Sequence, residues 1–223
     1  MCFAGHFSGV TVFFVIAMYA YLLGSIPSGY LAGRLRGIDL RKEGSGNIGA
    51  TNALRVLGKK LGYWVLAADL LKGWLAVMGA FLIARQQGGA SEQFVVNCGV
   101  LSAALVVIGH SFPVWLGFQG GKGIATSAGV MLALFPPFVF GFGLAVWVVL
   151  FFSTRYVSVA SLGAAVALPT SAVFLMILGQ CDPVRTVIAG IMCGLAIWRH
   201  KDNIGRLVAG TEKRFERKPK VES

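Results

Sequence analysis

Long apolar runs separated by short polar stretches set the pattern of this chain. Seven runs stand out, at residues 10–35, 61–85, 94–116, 123–135, 137–153, 157–178 and 185–198. A helix needs about 20 apolar residues to cross the hydrocarbon core of a bilayer. The pattern therefore predicts an all-α integral membrane protein, with seven transmembrane helices in a single polytopic domain over residues 1–223. The first run is long for one span, and Pro27 and Ser28 are expected to break or kink it, leaving its last turns at the interface. Pro136 and Pro137 interrupt a run of roughly 30 apolar residues, which reads better as a hairpin of two helices than as one tilted span. Taking that run as one span gives the alternative of six.

Composition agrees with the pattern. At 56% hydrophobic and 13% charged residues, a soluble domain of this size could not bury its apolar surface. Charge then sets the orientation. With seven spans, 17 of the 20 Lys and Arg fall on one side, Arg85 and Arg185 on the other, and Lys72 inside a span. The positive-inside rule places the N-terminus outside and the C-terminus in the cytoplasm. Six spans would move Arg155 across the membrane from Lys122 and weaken that bias. The net charge of +11 thus marks a cytoplasmic face with attraction for anionic lipid headgroups, not a nucleic-acid-binding protein. No Lys or Arg precedes Arg34, so the first run lacks the basic start of a signal peptide and is expected to stay as a helix. The four cysteines have no metal-ligand spacing, and no metal or cofactor is predicted; Cys98 and Cys193 should pack as small apolar residues. Gly190 with Gly194, and Ala160 with Ala164, have the spacing of close helix packing.

Four polar segments remain, and this topology puts all of them on the cytoplasmic side. In GSGNIGATNALR, residues 44–55, three glycines can turn N–H groups inward, while Ser45, Asn47, Thr51 and Asn52 add neutral donors and Arg55 a forked cation. Such a set suits a phosphate, although a solvated loop capping the next helix would look similar. In GFQGGKG, residues 117–123, Lys122 sits in a glycine turn that opens a helix. This is not a P-loop, because Leu116 and Gly123 occupy the positions that need glycine and Ser or Thr. In RHKDNIGRLVAGTEKR, residues 199–214, His200, Asn203 and Arg206 recur at helical spacing and can share a face, with Glu212 following. Histidine can serve there as base or as phosphate donor; Arg199 and Lys201 read as an interfacial stop. The fourth segment is TRYVSVAS, residues 154–161.

Asp69 and Lys72 form an i, i+3 pair inside a span and read as structural support near the site. His110 reads as a satisfied polar contact. Five residues after His6, His110 and His200 come Thr11, Trp115 and Gly205, so the HxxxxD pair of conventional acyltransferases is missing. There is also no GxSxG and no HExxH. A transporter or channel for an organic phosphate is the competing reading. It would place its site near the midplane in an internal repeat, whereas here the polar residues crowd one face and no repeat is visible. A scaffold subunit would leave Arg55, Lys122 and His200 without a role.

Read together, SGNIGATNALR, GGKGIATSAGV and RHKDNIGRLVAGTE resemble the bacterial membrane acyl-phosphate:glycerol-3-phosphate acyltransferases. GSIPSGYL, DLLKG, GHSFPVWLGFQGGKG and RYVSVASL extend the resemblance over nearly the whole chain. It implies a seven-helix enzyme of the bacterial inner membrane with its active site facing the cytoplasm. The substrates would be glycerol 3-phosphate and a fatty acyl phosphate, the latter supplied by an acyl-phosphate-producing enzyme. The products would be lysophosphatidic acid and inorganic phosphate. Ser45, Arg55, Lys122, His200 and Asn203 are then expected to hold glycerol 3-phosphate. Asn47, Thr51, Asn52, Gly120, Gly121, Gly123 and Ser161 are expected at the acyl phosphate, with Arg206 and Glu212 bracing the tail. Catalysis is expected from positioning or from the substrate itself, with His200 and Asn203 as the nearest candidates for a catalytic side chain.

Overall fold

A computed structural model describes residues 8–215. Cys2 and the tail cations Arg217, Lys218 and Lys220 lie outside the described residues. Every regular element among the described residues is helical: α1 Gly9–Ser25, α2 Ser28–Arg34, α3 Ala50–Val56, α4 Lys59–Arg85, α5 Glu92–Ser111, α6 Ile124–Leu134, α7 Pro137–Thr154, α8 Val157–Ile177, α9 Pro183–Arg199 and α10 Lys201–Val208.

Each of the seven apolar runs contains a helix. Among the described residues, five helical segments are long and apolar enough to cross a membrane: Gly9–Arg34, Lys59–Arg85, Glu92–Leu116, Pro137–Thr154 and Val157–Ile177. The other two, α6 and α9, have 11 and 17 residues. The first run breaks at Ile26–Pro27, between α1 and α2. Proline cannot donate to the helical ladder, and it starts α2 instead. Pro136 and Pro137 likewise end one helix and start the next, so the apolar stretch that holds the fourth and fifth runs is a hairpin of α6 and α7. The polar stretch 36–60 is only partly loop, because α3 takes up its second half.

A core of small and branched side chains runs through α4, α5, α6, α8 and α9, and includes Val77, Val106, Val130, Leu168, Ala172 and Ala189. Large apolar side chains such as Phe14, Leu82, Val149, Phe152 and Val187 point outward. That is the arrangement of a chain whose solvent is lipid. With no hydrophobic force between helices in such a medium, close backbone approach does the packing. At two crossings the backbones touch. Any side chain on Gly24 of α1 would overlap the Val106 carbonyl, and on Gly109 of α5 the Tyr21 carbonyl. At the second crossing, a side chain on Gly73 of α4 would overlap the Thr126 carbonyl, and on Gly129 of α6 the Leu70 carbonyl. Gly190 and Gly194 were expected to pack in this way and do not. They lie on the exposed face of α9, with no atom of another element within 4 Å of where a Cβ would stand.

Gly129→Ala should lower the melting temperature of the detergent-solubilised protein, because the methyl group must push α4 and α6 apart at a cost of roughly 1–3 kcal/mol. Gly194→Ala should leave it unchanged or slightly raised, since alanine favours helix by about 1 kcal/mol and nothing is displaced. Equal melting temperatures for the two variants would contradict the contact.

Candidate active site

The first polar loop is built around one amide. Asn52, in the first turn of α3, is 1% exposed. Its Oδ1 accepts from the Ser45 N–H at 2.9 Å, and its Nδ2 donates to the carbonyls of Leu40 and Glu43 at 3.2 and 3.0 Å. Gly44 and Gly46 turn the chain around it at positive φ, and a side chain on Gly44 would collide with Asn52 Oδ1. Both amide hydrogens are engaged, so Asn52 shapes the loop and does not have the free donor expected of a substrate ligand. Asn47 uses its Oδ1 on the Gly49 N–H at 2.8 Å, which leaves its own NH2 available. Ser45 and Arg55 stand exposed at the loop's rim, and Arg55 has no hydrogen-bond or ion-pair partner among the described residues.

The second loop is clamped from two sides. Gly120 and Gly121 donate their N–H groups to the carbonyls of Ser111 and His110, each at 3.1 Å. On the other side the Arg199 guanidinium bonds the Gly120 carbonyl at 2.8 Å and the Gly121 carbonyl at 3.0 and 3.1 Å. Its face lies 5.2 Å from the centre of the Phe112 ring. The expectation that Gly120 and Gly121 contact substrate is corrected here. Their donors are already bound within the protein, and side chains at either position would strike His110. What they provide is a backbone thin enough to lie against α5. Lys122 and Gly123 do reach the cavity. Gly123 turns at φ +81°, and α6 begins at the next residue, so the free N–H groups of its first turn open beside the lysine.

The third segment closes the site. Lys122 Nζ donates to Asn203 Oδ1. Asn203 Nδ2 donates to Glu212 Oε1 at 2.6 Å, and Glu212 Oε2 accepts from Arg206 Nε at 2.7 Å. An ammonium only donates and a carboxylate only accepts, which fixes the orientation of the Asn203 amide between them. The tail is held alongside by Phe215 N–H on the Arg155 carbonyl at 2.9 Å and by Arg214 Nε on the Tyr156 hydroxyl at 3.0 Å. Burial lowers the Lys122 pKa to about 8, against an opposing pull from Glu212. Burial works against the Glu212 carboxylate too, but the hydrogen bonds from Asn203 and Arg206 outweigh it and bring its pKa below the usual value.

His200 has a defined tautomer. Its Nδ1 lies 2.7 Å from the Ala196 carbonyl, which can only accept, so Nδ1 carries the hydrogen and Nε2 keeps its lone pair. Burial lowers the imidazole pKa to about 4, so the ring is neutral at physiological pH. It can accept a hydrogen bond from a hydroxyl; it is not the cation a phosphate would favour.

These groups converge on one cavity of about 600 Å³. Of the twelve expected substrate contacts, ten line it: Ser45, Asn47, Thr51, Asn52, Arg55, Lys122, Gly123, Ser161, His200 and Asn203. Arg206, Glu212 and Asp69 line it as well, whereas Lys72 does not. The wall is also lined by apolar side chains, with Leu70, Met131, Phe140, Trp147, Leu168 and Met192 drawn from α4, α6, α7, α8 and α9. Such a space accommodates both anionic groups and a hydrocarbon tail. Three participants escape sequence reasoning. Arg199 reads as an ordinary interfacial stop, and nothing in sequence shows that it reaches back 78 residues to Gly121. His110 reads as a contact within its own span, yet it lines the cavity. Ser158 lines it too, one helical turn from the expected Ser161.

Comparison with known proteins gives one consistent family over most of the chain. A family model described as glycerol-3-phosphate acyltransferase matches residues 14–210. A glycerol-3-phosphate acyltransferase of Synechococcus elongatus is 47% identical over 203 residues, 90% of this chain and 93% of the relative. One from Aquifex aeolicus is 42% identical over 201 residues, covering 90% and 97%. The crystal structure of PlsY, an integral membrane glycerol 3-phosphate acyltransferase, in its glycerol 3-phosphate form aligns with TM-score 0.80 at 38% identity, covering 92% of this chain and 96% of that one. Its lysophosphatidic acid form aligns at 0.78 and 37%, covering 92% and 95%.

A phosphate monoester should bind with an affinity that falls as pH rises through about 8, where Lys122 loses its proton. Titration calorimetry above pH ~7, where the ligand's own second ionisation near ~6 is complete, reads this directly. Lys122→Met should weaken binding and remove the inflection. An inflection that survives in the variant belongs to another group.

Proposed function

The chain belongs to the glycerol-3-phosphate acyltransferase family, and from that premise we propose that it transfers a fatty acyl group from an acyl phosphate to the 1-hydroxyl of glycerol 3-phosphate. The products are lysophosphatidic acid and inorganic phosphate, in the first acylation of phospholipid biosynthesis. The observation that carries this reading is one cavity lined both by Arg55, Lys122 and Arg206 and by apolar side chains of α6, α7, α8 and α9. The relative solved with lysophosphatidic acid supports the same product here.

Glycerol 3-phosphate takes its phosphate to Ser45, Arg55 and Lys122, with Asn203 fixing the lysine. Neutral His200 then faces the glycerol hydroxyls, which it can accept from. The acyl phosphate lies toward Asn47, Thr51, Gly123 and Ser161, with its chain along the apolar side chains. An imidazole with a pKa of about 4 is a weak base at neutral pH. A phosphate group, with a second pKa near ~6, is the stronger base of the two. The proton of the attacking hydroxyl therefore passes to a substrate phosphate. That phosphate also leaves readily, and the enzyme contributes orientation and cationic stabilisation. The chain acts as one polytopic domain of seven spans in the bacterial inner membrane. Its cationic loops and tail face the cytoplasm, where both phosphorylated substrates are found, and an acyl-phosphate-producing enzyme works upstream. The bias of Lys and Arg toward that side supports this orientation.

The purified protein should release phosphate from palmitoyl phosphate only when glycerol 3-phosphate is present, with an equal amount of lysophosphatidate, and nothing from palmitoyl-CoA. Arg55→Ala should raise the KM for glycerol 3-phosphate roughly tenfold to a hundredfold, since a charged hydrogen bond contributes about 1.5–3 kcal/mol. Absence of product from either donor in folded protein would sink the acyl-transfer reading. An unchanged KM in the variant would remove Arg55 from the phosphate site.

A further inference from the structure

At the wall of the cavity lies a polar cluster buried in the spans. Asp69, Lys72 and His110 are 3%, 5% and 6% exposed. Asp69 Oδ1 lies 3.0 Å from Lys72 Nζ and 3.5 Å from His110 Nδ1. Each of the two partners of Asp69 leads to a different loop. Lys72 Nζ also donates to the Ile26 carbonyl at 2.8 Å, in the break between α1 and α2. From that break α2 carries Gly29, whose Cα lies so close to the Ile48 carbonyl that a side chain would collide with it. Ile48 is in the first polar loop, three residues after Ser45. His110 leads to the second loop. Its carbonyl accepts from Gly121 N–H, and its ring is packed against the same glycine, next to Lys122.

Stability alone does not explain this cluster. A buried ion pair is often no more stabilising than well-packed apolar side chains of the same volume, and ionisable groups are costly at membrane depth. What the cluster provides at this depth is a polar link between elements: an Asp69–Lys72 ion pair, with His110 Nδ1 beside the same carboxylate oxygen. The geometry points to Asp69, with Lys72 and His110, as a positioning cluster that sets the separation of the two phosphate-binding loops. Resting on the acyl-transfer reading, it sets how closely the glycerol hydroxyl approaches the acyl carbonyl. Asp69 acts through Lys72 on the Ser45–Arg55 loop and through His110 on the Lys122 loop. It does not itself touch the reacting atoms.

Two variants test this, Asp69→Asn and the double variant Asp69→Asn with Lys72→Met, which leaves no lone buried charge. In folded protein, kcat should fall roughly 10- to 100-fold, as for a misplacement of about 1 Å. Each loop stays intact, so KM for either substrate should remain within about twofold. A separate measurement does not depend on turnover. Spin labels are placed through Lys42→Cys and Gln119→Cys on a chain whose native cysteines have been replaced, one label beside each loop. Their distance distribution should be narrow in the parent and shifted or broadened by Asp69→Asn. Wild-type kcat with an unchanged distribution would overturn the proposal, as would a lower melting temperature as the only effect. If the parent protein transfers no acyl group, the functional reading fails, and the spin-label distances alone decide whether the cluster spaces the loops.

Discussion

Contact of backbone on backbone between α4 and α6 is the constraint from which the site follows. Gly73 and Gly129 leave no room for a side chain on either helix, so the start of α6 is pressed against the stretch of α4 that holds Asp69 and Lys72. Lys122 and Gly123 immediately precede that start. The crossing of α1 and α5 at Gly24 and Gly109 does the same for the other side, bringing the Ile26–Pro27 break close to His110 and the loop that follows it. In lipid, where apolar faces gain nothing from meeting one another, such close approaches decide which helices are neighbours. Here they also decide which polar groups are.

Around that scaffold the cations are assigned distinct tasks. Arg199 is engaged with two glycine carbonyls and Arg206 with a carboxylate. Lys122 is held by an amide, which leaves its charge largely uncompensated. Arg55 has no partner among the described residues. Arg55 and Lys122, on separate loops, and Lys213 of the tail are thus the cavity-lining cations left without a carboxylate or backbone carbonyl partner among the described residues. Neutral His200 sits among these groups without adding to the charge. A site built in this way distinguishes the anionic end of a small substrate from its hydroxyl end.

The helical runs, the break near Pro27, the hairpin at Pro136 and ten of the cavity's polar contacts are legible in sequence, because apolar length, proline and glycine-rich polar loops are local signals. The roles of Asn52, Gly120 and Gly121 are not. Donors facing inward look the same in sequence whether they meet a ligand or the protein's own carbonyls, and here both Asn52 hydrogens and both glycine N–H groups meet carbonyls. Arg199 illustrates the same limit from the other side. A cation at the end of a span usually faces headgroups, and only the fold turns it back toward Gly120 and Gly121. Gly190 and Gly194 carry the spacing of a packing motif, yet their face of α9 is turned outward. Spacing shows that residues share a face, not where that face points.

The shortness of α6 has a chemical consequence. Its 11 residues rise about 16 Å, whereas the 18 residues of α7, which start from the same turn, rise about 27 Å. The loop carrying Lys122 thus lies roughly 10 Å short of the end of α7 along the helix rise. An acyl phosphate is a mixed anhydride, and bulk water is a nucleophile that would destroy it without profit. On the proposed acyl-transfer reading, holding its reactive carbon below the end of α7 would replace a vast excess of competing water with the hydroxyls that glycerol 3-phosphate brings. The truncated helix would then bear on the ratio of transfer to hydrolysis, and fidelity toward the acceptor would come from where the anhydride is kept as much as from the groups that bind it.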